Sequence, residues 1–131
     1  MIDHISISVR DLKKAEPFYT ATLAPLGLAK LREWPDATIG FGKKYPEFWI
    51  NRRDALARIA DDSGVHICLR AADTAAVDAF HAAGLAAGGK SDGAPGLRPH
   101  YYPGYYAAFI RDLDGNRIEA VTFLREAAAE K

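Results

Sequence analysis

The chain opens on a clean alternation. Over residues 2–9, Ile5, Ile7 and Val9 fall on one face and His4, Ser6 and Ser8 on the other, which predicts a half-buried strand. Asp11 then stands as an N-cap before Leu12–Leu23, where Leu12, Ala15, Phe18, Tyr19, Thr22 and Leu23 recur at helical spacing. Pro17 falls inside that helix and is expected to cost a hydrogen bond or kink it; Pro25 and Gly27 stop it. Short strands follow at about Ala29–Trp34, Thr38–Gly42 and residues 47–51, separated by turn residues. The polar run 52–63 reads as a surface connection.

The pattern then restarts. Residues 64–71 put Val65, Ile67 and Leu69 on one face and His66, Cys68 and Arg70 on the other. Asp73 caps a helix predicted over 74–83, with Ala76, Val77 and Phe80 apolar and Gly84 as its stop. A short strand is expected at 86–90, then a Gly- and Pro-rich loop over 91–103. Between the last two strands, Asp112-Leu113-Asp114-Gly115-Asn116 is strong turn chemistry. Beyond it, Arg117-Ile118-Glu119-Ala120-Val121 alternates, so Glu119 faces away from Ile118 and Ala120. Residues 123–131 read as a short helical or frayed tail. Each half is strand, helix, then two or three strands. His4 and His66, Asp11 and Asp73, and Phe18 and Phe80 all match at an offset of 62, which favours an internal duplication. Module one covers about residues 1–55 and module two about 64–123 of a single domain.

Composition narrows the partners. Lys plus Arg and Asp plus Glu number 17 each in 131 residues, so no basic field points to nucleic acid or to a membrane surface. No apolar run approaches the ~20 residues of a membrane span. The N-terminal MIDHISISVRDL carries Asp3 and Arg10 and lacks the apolar core of a secretory signal. The one cysteine, Cys68, excludes an intrachain disulfide and fits a reducing compartment. The expectation is a cytoplasmic globular protein with a small-molecule partner.

The chemistry-bearing residues lie on the polar faces of the strands. If the two modules pair about a pseudo-twofold, His4 and His66 can approach each other, with Glu119 closing module two and Glu47 opening the last strand of module one. Two imidazoles and two carboxylates suit Zn²⁺, Ni²⁺, Mn²⁺ or Fe²⁺. The stretch Arg98-Pro99-His100-Tyr101-Tyr102, followed by Tyr105 and Tyr106, concentrates aromatics beside an arginine. This is a wall able to hold an acidic or planar group, or else a subunit contact. Trp34 and Trp49 read as core, although Trp49 shares a face with Glu47 and can border the site. His81 reads as a surface helix residue and Cys68 as a small buried filler, with no base beside it to make it a nucleophile.

The doubled strand–helix–strands module, the opening DHISISV with its following Asp-Leu, Ala and Phe-Tyr, the second GVHICL and the ending FIRDLDGNRIEAV resemble the vicinal oxygen chelate superfamily. This is the glyoxalase I, bleomycin-resistance and extradiol-dioxygenase group. The resemblance implies an α+β fold of two tandem βαβββ modules forming a U-shaped mixed sheet around a divalent metal. By position the ligands are His4, Glu47, His66 and Glu119, as in glyoxalase I-like enzymes. There, a metal-bound carboxylate (Glu119 first, Glu47 second) removes a proton alpha to a carbonyl, and the metal steadies the oxyanion. Arg98, His100, Tyr101, Tyr102, Tyr105, Tyr106 and Trp49 then become substrate-binding candidates, and a homodimer is expected. Dioxygenases and fosfomycin-resistance thiol transferases use only the His4, His66 and Glu119 positions. Bleomycin-resistance-like members bind a ligand between subunits without a metal. The fold hosts all of these, so the site decides among them.

Overall fold

The computed structural model describes residues 1–125. Beyond Arg125 the expected tail lies outside the described residues. Its first residue, Phe123, is the last residue of a strand.

The repeat seen in the sequence is repeated in space. Module one runs β1 (Ile5–Val9), α1 (Leu12–Leu23), a 3₁₀ turn at Ala24–Leu26, β2 (Ala29–Trp34), β3 (Thr38–Gly42) and β4 (Pro46–Arg52). Module two runs β5 (His66–Arg70), α2 (Thr74–Ala86), β6 (Lys90–Leu97), β7 (Tyr105–Arg111) and β8 (Arg117–Phe123). The α+β fold is therefore two βαβββ modules. Each makes a four-stranded mixed sheet, ordered β1-β4-β3-β2 and β5-β8-β7-β6, with the first and last strand of each module parallel.

Equivalent residues do equivalent work. Asp11 Oδ1 accepts the Lys14 backbone N–H at 3.2 Å, and Asp73 Oδ1 that of Ala76 at 2.9 Å, so both helices start on an aspartate cap. Phe18 and Phe80 are both fully enclosed. One core unites the modules: Phe18, Tyr19 and Leu23 of α1 and Val77 and Phe80 of α2 pack with Phe41, Phe48 and Ile50 of one sheet and Ile110 and Ile118 of the other. α2 lies on β6, β7 and β8 and also touches α1 and the 3₁₀ turn. Each sheet thus spends one face on the helices and leaves the other open.

The modules are also tied at the 112–116 turn. Asp112 accepts the Asp114 and Asn116 backbone N–H groups (2.9 and 2.8 Å), the Asn116 amide (2.9 Å) and the enclosed Tyr19 hydroxyl (2.5 Å). Asn116 Nδ2 also donates to the Ser8 carbonyl of β1 at 2.9 Å. Gly115 supplies the positive φ of 95° that closes the turn.

Four local expectations are corrected. The loop predicted over 91–103 is a strand over most of its first half. β6 tolerates Pro95 and two shifts of register against β7, at Ser91/Gly93 and Gly93/Gly96, because it is an edge strand. Of the strand expected at 86–90, Ala86 and Ala87 are instead the end of α2 and its cap, and only Lys90 is strand, the first residue of β6. Gly84 does not stop α2 but lets it settle on Ile110, whose Cδ1 lies 2.8 Å from where a Cβ would stand. Trp34 is not core: β2 is an exposed edge, and Trp34 keeps 56% of its surface open.

Candidate functional site

The site grows from strand register. β5 and β8 are parallel neighbours that pair His66 with Arg117, Cys68 with Glu119 and Arg70 with Val121, while the β7–β8 hairpin pairs Phe109 with Glu119 and Tyr105 with Phe123. Paired residues share a face, so His66, Cys68, Arg70, Tyr105, Phe109, Glu119 and Phe123 all stand on the open side of the second sheet.

Glu119 is its centre. Although it faces away from the helices, it is only 1% exposed. Its Oε1 lies 2.9 Å from His66 Nε2, and its Oε2 accepts the Tyr105 hydroxyl at 2.5 Å. A carboxylate taken out of water needs such partners. Burial, then the bond to Glu119, holds the Tyr105 phenol well above its ordinary range. Burial of the Cys68 thiol, reinforced by the neighbouring carboxylate, pushes it up to about 12. Cys68 is nevertheless an exposed residue and not the buried filler expected. As a neutral thiol at physiological pH it is a poor nucleophile.

Tyr105 also anchors an aromatic ladder. Its ring meets Tyr101 at 5.2 Å and Phe123 at 5.4 Å, both edge-on; His100 continues the series from Tyr101 at 4.4 Å, and Tyr102 from Phe123 at 6.0 Å. These spacings are favourable for T-shaped pairs. The Arg70 guanidinium sits 4.9 Å above the Phe123 ring. Arg98 turns its N–H groups back to the carbonyls of Gly96 and Ala94, at 2.8 Å each, while standing 5.4 Å over Phe109. It braces the loop. Tyr106 points to the helix side, its hydroxyl donating to Asp78 Oδ1 of α2 at 2.6 Å, so it does not join this wall.

Module one carries the other residues singled out from the sequence. His4 lies just before β1, exposed, with Nδ1 2.6 Å from Asp3, which also accepts the Tyr45 hydroxyl at 2.7 Å. Glu47 is exposed on β4. Trp49 lies across Gly40, where an added Cβ would come within 2.9 Å of the indole, and meets Trp34 at 5.8 Å. The structure brings His66 and Glu119 together and leaves His4 and Glu47 with the other sheet. Among the described residues no three His, Cys, Asp or Glu side chains converge as a metal-ligand group. Nor does any helix among them have the length and apolarity to cross a membrane.

Of the groups around Glu119, the residue pattern carried no role for Arg70, and it assigned Tyr105 to substrate alone. A cavity of about 800 Å³ opens elsewhere, at the start of α1, among Arg10, Lys13, Lys14 and Arg52 interleaved with Asp11, Asp36, Asp54 and Asp114. Its charges neutralise one another and it includes neither His66 nor Glu119, so the chemistry points to the sheet face instead.

Comparison with known proteins agrees with this architecture. Residues 1–120 match the family model of the Glyoxalase/Bleomycin resistance protein/Dioxygenase superfamily. A glyoxalase/bleomycin resistance protein from Albidiferax ferrireducens T118 is 30% identical, with 92% of this chain and 97% of that one covered and a TM-score of 0.78. Two more distant structures share the fold. The fosfomycin resistance protein FosX from Listeria monocytogenes is 17% identical, covering 97% and 96% of the two chains at a TM-score of 0.69. A lactoylglutathione lyase from Agrobacterium tumefaciens is 22% identical, covering 92% of each at 0.62. No curated protein matches.

Proposed function

Because the chain belongs to the Glyoxalase/Bleomycin resistance protein/Dioxygenase superfamily, we propose that it is a metal-dependent enzyme. The reading is a glyoxalase I-like lyase or isomerase, or a related transferase, acting on a small oxygen-rich or thiol-conjugated substrate. One observation carries it: a carboxylate almost wholly removed from water, on an open sheet face, with an imidazole nitrogen at 2.9 Å. His66 Nε2 and Glu119 Oε1, 2.9 Å apart, are the donor types a divalent metal takes and would be the pair that holds it on this face. A bound divalent metal would supply Lewis acidity toward a substrate carbonyl or enediolate.

The remaining roles fall to the chain's own groups. Glu119 is the first candidate base and Glu47 the second. Tyr105 fixes the second oxygen of Glu119, so the carboxylate keeps one orientation. Tyr101, Tyr102 and Phe123 shield that face and hold the apolar part of a substrate. Since His4 and Glu47 sit with the other sheet, we assign the full ligand set to a homodimer in which a second copy presents them. The exposed Trp34, Tyr101, Tyr102 and Leu97 are the apolar surface such a contact would cover.

Elemental analysis tests this. Protein loaded in turn with Zn²⁺, Ni²⁺, Mn²⁺ and Fe²⁺ is expected to retain close to one ion per chain, and Glu119→Gln to lose it. Mixing His4→Ala with His66→Ala chains should restore up to half the binding if sites form between copies. No retained metal under any loading would sink the enzyme reading. It would favour the second one, a metal-free protein that holds its ligand against the Tyr-rich face, which draws support from the His66–Glu119 and His4–Asp3 pairs already satisfying one another.

A further inference from the structure

Four arginines stand at the open face of the second sheet, and among the described residues three of them are held by carboxylates or carbonyls. Arg117 gives its terminal N–H groups to the Ser63 and Asp61 carbonyls, with Nε 3.6 Å from Asp92. Arg111 is paired with Asp61 at 3.0 Å and Asp92 at 3.3 Å. Arg98 is occupied by two carbonyls. Arg70 differs: among the described residues it has neither a carboxylate nor a carbonyl partner, the arginine ion pairs there being those of Arg52, Arg58, Arg111 and Arg117.

Arg70 is nonetheless held in place. Its guanidinium rests 4.9 Å over the Phe123 ring; that ring packs on Tyr105, and Tyr105 binds Glu119. Along β5 it follows Cys68, the residue opposite Glu119, by two positions. A strand repeat of two residues spans about 7 Å.

From this placement we infer that the ligand of the Glu119 face is an anion, with a carboxylate, phosphonate or phosphate group held by Arg70 and an apolar or aromatic body against Phe123 and Tyr102. The inference rests on the proposed site but names its substrate class. Its charge must lie at the Arg70 end, because Glu119 repels an anion brought beside it, about 7 Å away along the strand. A guanidinium presents two parallel N–H groups that match such an oxyanion, and stacking on an aromatic ring leaves that edge free. The anion-holding role that the sequence suggested for Arg98 passes to Arg70, since the N–H groups of Arg98 are spent on the Gly96 and Ala94 carbonyls of β6.

The test compares 3-phenylpropionate with its uncharged amide by calorimetric or NMR titration, using the full chain. Metal content is measured on the same samples. Wild-type protein is expected to bind the acid at least about tenfold more tightly than the amide. Arg70→Met should abolish that preference, Arg70→Lys retain part of it, and Arg98→Met leave it intact. Equal binding of acid and amide, no binding of the acid, or a preference that survives Arg70→Met would overturn the inference. Metal content separates the two readings. Metal-free protein that keeps the Arg70-dependent preference defeats the metal reading alone, and metal-loaded protein without the preference defeats this one alone.

Discussion

Tyr105→Phe is the most informative single change, because it removes one oxygen and little else. The ring keeps its contacts with Tyr101 and Phe123 at 5.2 and 5.4 Å, so packing is preserved. What goes is the 2.5 Å bond to Oε2 of a carboxylate that is 1% exposed. A hydrogen bond to a charged group contributes about 1.5–3 kcal/mol, and stranding a buried acceptor costs a similar amount. The variant should therefore lose about 2 kcal/mol of folding stability. With a urea dependence of about 1–3 kcal/mol per molar, the midpoint falls by roughly 1 M. Unfolding followed by circular dichroism at one fixed protein concentration reads this directly, and the slope should not change. The same variant should weaken Co²⁺ binding by about 10- to 100-fold, the usual effect of removing a group that orients a ligand, and shift its visible spectrum. A midpoint within about 0.2 M of wild type would mean that the short bond does not hold Glu119, and the reasoning about the site would fail with it.

Two further expectations concern the tie between modules. Asp112→Ala strands the enclosed Tyr19 hydroxyl and three donors of the turn, and should cost about 3–5 kcal/mol in denaturant unfolding. Combined with Tyr19→Phe, the two losses should fall short of additive by about 1 kcal/mol or more, and strict additivity would deny the coupling. Burial, then the neighbouring Asp112, raises the Tyr19 phenol well above its ordinary range. Its stabilisation is therefore complete below about pH 10, where the unfolded phenol still holds its proton, and is lost as pH rises toward the folded value, by up to about 1.4 kcal/mol per pH unit. Stability measured from pH 9 to 11.5 should fall less steeply in Tyr19→Phe than in wild type.

The modules, their order and the faces of their strands were legible from the residue pattern alone. Alternation and helical spacing are local properties, and the cap aspartates Asp11 and Asp73 and the turn at 112–116 act over a few residues. The turn also fixes hairpin register, which is why the odd-numbered Tyr105, Phe109 and Glu119 were bound to share a face. Edge strands were harder. β6 and Trp34 of β2 were misjudged because an edge tolerates Pro, Gly and exposed aromatics that an interior strand does not. The remaining features come from long-range packing. That Tyr105 reaches Glu119 depends on side-chain length and on the packing of Tyr101 and Phe123. That Arg98 turns inward, while Arg70 keeps no carbonyl or carboxylate partner among the described residues, depends on which carbonyls the end of β6 presents. That His66 and Glu119 meet while His4 and Glu47 stand with the other sheet depends on both sheets burying one face against the shared helices, a long-range choice that no local pattern of residues encodes.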